Sequence, residues 1–469
     1  MQKNTPAPGF HRPAEDGALW CEGVPLTRIA EVIGTPAYVY SRAMIEERFR
    51  RYDDALGGRP HLVCYAVKAN SSIGILEVLA KLGAGFDTVS WGEILRVVAA
   101  GADPRRIVFS GVGKSRREIA LALLAGIRCF NVESAEELDR IADVARRLNR
   151  TAPIALRVNP DVDPHVDSRV ATGVGSSKFG IDKSEVIALY ERAASLPNIE
   201  ILGISCHIGS QLQSTDPFLQ MLEVLVGLIG ELTRRGIYLK HIDLGGGAGV
   251  AYRAGEATLD PAALMQTLLK RLDEKIPDSG LEVLVEPGRS IVAQAGVLLT
   301  RVEFLKRVRS GAHYAIVDAA MTDFMRPALY GAWHEVERVV PAAPDAGEEK
   351  LSIAGPVCES TDVFARDRSI SAADDDLLVF RTAGAYGMSM ASNYNSRPLP
   401  FEVLIDGEKL IPLQRRRQNP LDLIELEAPL AGPDAPAPGR DRAVGLCHKT
   451  EDVMAALFDP AEKTPESSG

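Results

Sequence analysis

The sequence predicts a parallel (β/α)8 barrel of the TIM type, joined to a second, β-rich domain of sandwich or barrel form. Three observations predict it. Short apolar runs alternate with helix-length segments eight times between about Ser41 and Ala295; these runs repeatedly end in a reactive side chain; and beyond Ala295 the rhythm changes to β-like runs without long helical periods. Alternating strand and helix signals mark parallel βα units, and eight of them close into a barrel whose site lies at the carboxyl ends of the strands. A doubly wound open sheet competes for the same alternation. The reactive side chains at the run ends favour the barrel.

The first helix opens near Ser41 and runs through Ile45 to Tyr52. The strands follow at Leu62–Val67, Gly85–Val89, Ile107–Ser110, Ile127–Val132, Ile154–Val158, Ile201–His207, Leu239–Leu244 and Glu282–Glu286. Between them lie helical segments at Ile73–Lys81, Gly92–Ala100, Ser115–Ala125, Ser134–Leu148, Lys183–Ser195, Pro217–Arg235 and Pro261–Lys275. Several start near Ser, Thr or Asp and stop before Gly, as capping requires. At the carboxyl ends of the runs stand Lys68, Asp87, Ser110, Glu133, Arg157 with Asn159, His207, Gly245–Gly247, and Glu286 with Arg289.

The later β-like runs are Val297–Phe304, His313–Asp318, Lys350–Ile353, Leu377–Thr382 and Phe401–Ile405. The segment before Ser41, including Ala18–Cys21, is expected to add a strand to them. The expected organisation is therefore 1–40 contributing to the β-domain, 41–295 as barrel, 296–429 as β-rich domain and 430–469 as a C-terminal extension. That extension opens with a linker-like composition and carries an amphipathic stretch at Glu451–Phe458.

A length of 469 residues suits about two domains, and 46% hydrophobic with 25% charged residues excludes wholesale disorder or a fibre. Lys and Arg number 53 against 63 Asp and Glu, a net charge of −10 with no long basic block, so no nucleic-acid partner is expected. Six scattered cysteines without a C-x-x-C pair form neither a disulfide framework nor a zinc pattern. They read as reduced thiols in the cytoplasm, with no metal. Met1–Pro13 lacks a basic region followed by an apolar one, and no segment approaches the ~18 apolar residues of a membrane span. Neither export nor a membrane is expected.

Lys68 follows an apolar strand, where burial would disfavour its ammonium and leave an amine able to form a Schiff base; a solvated loop lysine is the alternative. Gly245, Gly246 and Gly247 follow the seventh strand and Glu286-Pro287-Gly288-Arg289 the eighth, the loops where this fold most often binds a phosphate. A tight turn explains the glycines equally well. A dinucleotide fingerprint does not, because Val250 stands in place of the third glycine. Pyridoxal phosphate would supply both a phosphate and an aldehyde for Lys68. His207 could lie against its ring, or be structural. Ser210 could donate to its phosphate, and Glu286 could keep a pyridine nitrogen protonated or be a helix N-terminal acid. Arg289 and Arg326 are fixed cations suited to carboxylates. Cys358, beside Glu359, could donate a proton or be simply buried; Tyr386 offers a hydroxyl from a Gly-rich turn or packs as an aromatic.

In order and spacing, several stretches resemble the fold-type III pyridoxal-phosphate decarboxylases, and within them the branch acting on diaminopimelate. They are Leu26–Ala30, Gly34–Tyr40, Tyr65–Asn70, His207–Gln211, Asp243–Gly247, Glu286–Gly296, Met325–Tyr330, Gly355–Arg368 and Tyr394–Pro398. The resemblance runs to about Glu427. It implies pyridoxal 5′-phosphate as cofactor, a homodimer with shared sites, and conversion of meso-2,6-diaminopimelate to L-lysine and carbon dioxide, the last step of lysine biosynthesis. By the same resemblance Lys68 carries the cofactor aldehyde and His207 stacks on the ring. Gly245, Gly246, Gly247 and the backbone of Gly288 and Arg289 hold the phosphate with Ser210 and Tyr386, and Glu286 pairs with the pyridinium. Arg289, Arg326, Tyr330 and Tyr386 would meet the substrate, with Glu359 from the partner reading its distal amine and Cys358 from the partner donating a proton. The stretch Glu286–Gly296 has the diaminopimelate form, and Arg289 has no second carboxylate to pair with on ornithine or arginine. Ser71, Ser72, Ala319 and Ala320 depart from the usual pattern, as does the tail. The alternatives are a decarboxylase of ornithine, arginine or carboxynorspermidine, a racemase on the same barrel, and a non-catalytic pyridoxal-phosphate-binding protein.

Overall fold

The computed structural model describes residues 9–14, 17–163, 173, 177–277, 279–309, 311–427 and 439–458. The expected extension's residues 430–438 and 459–469 lie outside the described residues. The chain divides into a large unit, Met1–Ala391 with Pro400–Arg415, and a small one, Ser392–Leu399 with Arg416–Gly469.

In the large unit eight parallel strands close on themselves. They are His61–Ala66, Gly85–Thr88, Ile107–Phe109, Cys129–Val132, Ala152–Asn159, Ile199–Ser205, His241–Asp243 and Glu282–Val285. Each pairs with the next, and the eighth returns to the first through Val283↔His61 and Val285↔Val63. That last pairing decides against the doubly wound open sheet, which would leave two edges.

Side chains alternate across a strand, so two sets of residues separate. Leu62, Cys64, Val108, Cys129, Ala155 and Leu284 form their own buried cluster inside the ring. Their neighbours Val63, Phe86, Phe109, Phe130, Ile154 and Val285 join the larger core beneath the helices. Extending the inward set by two residues at a time reaches Ala66 and Lys68, Ser110, Asn131 and Glu133, Arg157, and Glu286. Strand parity thus carries the polar set to one end of the barrel.

The helices are held by the caps their sequences announce. The Ser41, Ser90, Ser115 and Ser134 hydroxyls accept from Met44, Glu93, Glu118 and Glu137 amides, with a full capping box at Ser115. Each such cap contributes about 1 kcal/mol.

The β-rich part forms a second sheet in the order Val363–Ile370, Glu349–Ala354, His313–Val317, Gly296–Arg307, Ala37–Ser41, Phe401–Asp406 and Lys409–Pro412. Leu377–Phe380 and Val336–Arg338 extend it on a branch. The long strand Gly296–Arg307 serves three partners along its length. Here one expectation is corrected. Trp20–Cys21 pairs with Phe10–His11 and Val24–Pro25 in a separate three-stranded sheet, and the early strand in the large sheet is Ala37–Ser41. The reason is burial: Ala37–Ser41 is buried at every position, as a central strand must be, whereas Trp20-Cys21 runs directly into a turn at Glu22 with φ +49.

At Ser41 the chain leaves this sheet for the barrel, and the Ser41 amide bonds back to the Ala295 carbonyl at 2.8 Å. In the small unit Asn419 caps the helix Pro420–Glu425, and Arg416 grips Asp422 through two nitrogens at 2.7 and 2.8 Å. The expected amphipathic stretch at Glu451–Phe458 is the end of a longer helix, Arg440–Phe458. No described helix is long and apolar enough to cross a membrane.

Candidate active site

A cavity of about 340 Å³ opens at the carboxyl end of the barrel, lined by Lys68, Asp87, Ser110, Gly111, Asn131, Arg157, Phe179, Ser205, Cys206, His207 and Glu286, among others. Lys68 sits in the single turn Val67–Ala69 after the first strand. Two bonds from the β-rich part fix that turn: Tyr386 amide to Ala69 carbonyl at 2.7 Å, and Asn70 Nδ2 to Gly384 carbonyl at 3.2 Å.

Lys68 Nζ donates to Asp87 Oδ2 at 2.5 Å. The expected loss of the lysine's proton is reversed in this state. Burial does lower its pKa, but the Asp87 carboxylate more than offsets that, with help from Tyr386 and Glu286, and the ammonium is held. His207 is pushed well below the usual histidine range by burial, then by the charges of Arg157 and Lys68. Its ring is neutral, and because the Gly246 amide donates to Nδ1 at 3.2 Å, the proton lies on Nε2.

At the end of the strand paired with the one before Lys68, burial and the neighbouring carboxylates of Asp243 and Asp87 push Glu286 well up; burial raises Asp243 to about 6. Asn131 Nδ2 bridges Ser110 Oγ at 3.1 Å and Glu286 Oε1 at 3.2 Å.

The glycine triplet brings backbones into contact. Gly245 and Gly247 have φ of +66° and +112°, and a Cβ on Gly246 would lie 2.1 Å from the Glu286 carbonyl oxygen. Gly288 precedes the short helix Arg289–Val292. Arg289 reaches back: Nη2 donates to Ser210 Oγ at 3.2 Å, Nη1 to the Tyr252 hydroxyl at 2.6 Å, and the guanidinium lies 4.8 Å from the Tyr386 ring centre. Arg326 joins the same group, 4.6 Å from the Tyr252 ring and 2.8 Å from His334 Nε2.

The structure therefore brings together Lys68, His207 and Glu286 in one cavity, and Ser210, Arg289, Arg326 and Tyr386 in an adjoining cluster around Tyr252. It does not bring Tyr330, Cys358 or Glu359 into the cavity lining. Tyr330 is 36% exposed at the end of a short helix. Cys358 and Glu359 are exposed on a loop whose shape is set by Asp362, which accepts from the Met321 and Val357 amides at 2.6 and 2.7 Å.

Sequence reasoning placed Asp87, Ser110, Glu133 and Arg157 at strand ends without a role, included Asp243 only as part of a matching stretch, and passed over Asn131, Ser205, Tyr252, Phe179 and His334. Strand parity could have found Asn131, Ser205 and Asp243. Tyr252, Phe179 and His334 come from loops, where no periodicity points inward.

These residues suit a phosphorylated pyridine aldehyde. Asp87 Oδ1, Asn131 Oδ1 and Ser205 Oγ are buried without a hydrogen-bond partner, and all three residues line the cavity. A lysine, an acid and a neutral histidine line the same opening, and the glycine turn meets it through the Gly246 amide on His207.

Residues 42–293 match the family model described as pyridoxal-dependent decarboxylase, pyridoxal binding domain. The chain is 53% identical over 401 residues to diaminopimelate decarboxylase of Pseudomonas aeruginosa, covering 86% of this chain and 95% of that protein. To the Vibrio cholerae protein of the same name it is 48% identical over 417 residues, covering 89% and 98%. The crystal structure of diaminopimelate decarboxylase from Helicobacter pylori complexed with L-lysine superposes with a TM-score of 0.81 at 38% identity, covering 86% of this chain and 98% of that one.

Proposed function

The chain belongs to the diaminopimelate branch of the pyridoxal-dependent decarboxylases, and from this membership we infer how its residues work. It is a carboxy-lyase that converts meso-2,6-diaminopimelate to L-lysine and carbon dioxide, the last step of lysine biosynthesis. The observation that carries the site assignment is the pairing of the Lys68 cavity with the Arg289 and Arg326 cluster, one suited to an amine and the other to carboxylates.

Pyridoxal 5′-phosphate, when bound, supplies an aldehyde for amines and a sink for the electrons left behind as carbon dioxide departs. Lys68 would hold it covalently. Asp87, 2.5 Å from Nζ, holds the Lys68 side chain in the cavity where the aldehyde would meet it. Glu286 would keep the pyridine nitrogen protonated, and that cation would stabilise the Glu286 carboxylate in turn. Neutral His207 offers a flat face without adding positive charge. Gly245, Gly246 and Gly247, with the backbone of Gly288 and Arg289 and with Ser210 and Tyr386, would form the phosphate side.

Arg289 and Arg326 would hold the carboxylate that is retained, presenting the D-configured centre for loss of the other. Cys358 and Glu359, exposed on their own chain, would complete the site of a second copy in a homodimer: Glu359 on the distal amine, Cys358 as proton donor, and Tyr330 beside them. A cytoplasmic location fits the free thiols Cys64, Cys129 and Cys206.

The test is substrate profiling of purified, cofactor-loaded protein. Lysine and carbon dioxide should form from meso-2,6-diaminopimelate far faster than products form from ornithine, arginine or carboxynorspermidine. Faster turnover of any of those three would overturn the reading.

A further inference from the structure

The Glu133 carboxylate stands behind the cavity wall and holds three separate pieces of it. Oε1 accepts from the Gly111 amide and from Arg157 Nη1, both at 2.9 Å, and Oε2 accepts from the Gly180 amide at 3.1 Å. Gly111 and Arg157 line the cavity, as does Phe179, the neighbour of Gly180. The Glu133 and Arg157 side chains are only 2% and 10% exposed, so water screens the pair little.

A second buried ion pair anchors the first. The Glu133 amide donates to Glu137 Oε2 at 2.7 Å, and Glu137 Oε1 meets Lys114 Nζ at 2.8 Å. Lys114 also donates to the Gly111 and Asn131 carbonyls, each at 2.8 Å. The backbone carrying Glu133 is thereby fixed to the loops on either side.

Arginine has a long, rotamer-rich side chain. Here one nitrogen is tied to Glu133 and the guanidinium lies 5.0 Å from the Phe179 ring centre, which selects one orientation. Among the described lining residues Lys68 and Arg157 are the two cations. A buried ion pair often adds no more stability than apolar residues of the same volume, so placement accounts for this one better than stability does.

Resting on the reading that the cavity binds pyridoxal 5′-phosphate, we propose that Glu133 is a positioning residue that fixes Arg157 as a cation toward the bound cofactor. Glu133 reaches the ligand through that guanidinium, while its bonds to the Gly111 and Gly180 amides hold the surrounding wall.

The test titrates apoenzyme with pyridoxal 5′-phosphate, following intrinsic fluorescence and the absorbance band of the bound cofactor. Glu133→Gln should weaken binding roughly ten- to hundredfold and shift the band, because a charge-assisted hydrogen bond is lost. Glu133→Asp, which keeps the charge, should recover part of both. In an Arg157→Ala background the same Glu133→Gln change should cost less than about twofold. Equal losses in the two backgrounds, or unchanged affinity in Glu133→Gln alone, would overturn the proposal. Should the Gln variant not fold, Glu133→Asp measured in both backgrounds completes the same cycle and decides by the same criterion. Failure of the unaltered chain to bind the cofactor would instead overturn the functional reading.

Discussion

Lys68, Asp87, His207 and Glu286 meet in one cavity of a single chain, whereas Cys358 and Glu359 stand exposed on a loop of the β-rich sheet. The first group is placed by a closed ring of strands, in which parity and register leave each side chain one direction. The second is placed by one acid, Asp362, holding a turn that points outward. A barrel builds a floor from repetition; the exposed loop owes its shape to a single acid.

Changing the floor should have the largest effect. Lys68→Ala is expected to abolish turnover, by at least about 10³-fold, together with the visible band of the bound cofactor; a chain that keeps both would remove Lys68 from the site. On the outward wall, Cys358→Ala should slow turnover on the order of 10²-fold while leaving cofactor affinity within about twofold. Mixing Lys68→Ala and Cys358→Ala chains should then restore up to about a quarter of the activity, since a mixed pair carries one intact site. Absence of any recovery would confine both residues to one chain. Arg326→Ala, between the two regions, should raise KM for diaminopimelate roughly tenfold or more with a smaller change in kcat. An unaltered KM would detach the arginine cluster from the substrate.

A gentler probe lies where the barrel meets the β-rich sheet. Glu402, bonded by the Tyr40 hydroxyl at 2.8 Å, is raised to about 7 by burial against an ordinary value of 4.5. Between these values the folded chain binds more protons than the unfolded one, so this contribution is complete below about pH 4.5 and is lost as pH rises through 7, in total roughly 3 kcal/mol. Denaturant midpoints measured from pH 5 to 8 should show the decline in the unaltered chain and a flatter profile in Glu402→Gln. The smallest effect is expected at Ser115→Ala, about 1 kcal/mol from loss of a surface cap, with turnover unchanged.

The eight barrel strands were legible because each is a short apolar run stopped by a polar residue, and the helices between them carry their caps in plain view. The β-rich sheet was less so. Val363–Ile370 reads Val-Phe-Ala-Arg-Asp-Arg-Ser-Ile, charged in the middle, and is a strand only because Glu349–Ala354 pairs with it. In the site, Lys68, His207 and Glu286 announced themselves at strand ends. The sign of the Lys68 shift did not, because it depends on Asp87, which lies beside it on the adjacent strand. Tyr252 and His334 were unreadable for a similar reason: only the folded chain brings them to Arg289 and Arg326.

The bond between Ser41 and Ala295 has a consequence for synthesis. Tyr40 pairs with Gly296 and Val39 with Val297, so the central strand of the β-rich sheet emerges from the ribosome roughly 250 residues before the partner it needs. Its buried tyrosines must stay uncommitted while every βα unit is translated. The nascent barrel, whose neighbours in sequence are neighbours in space, is expected to compact first, bringing the two ends together as it closes and sparing the sheet a long search in solution.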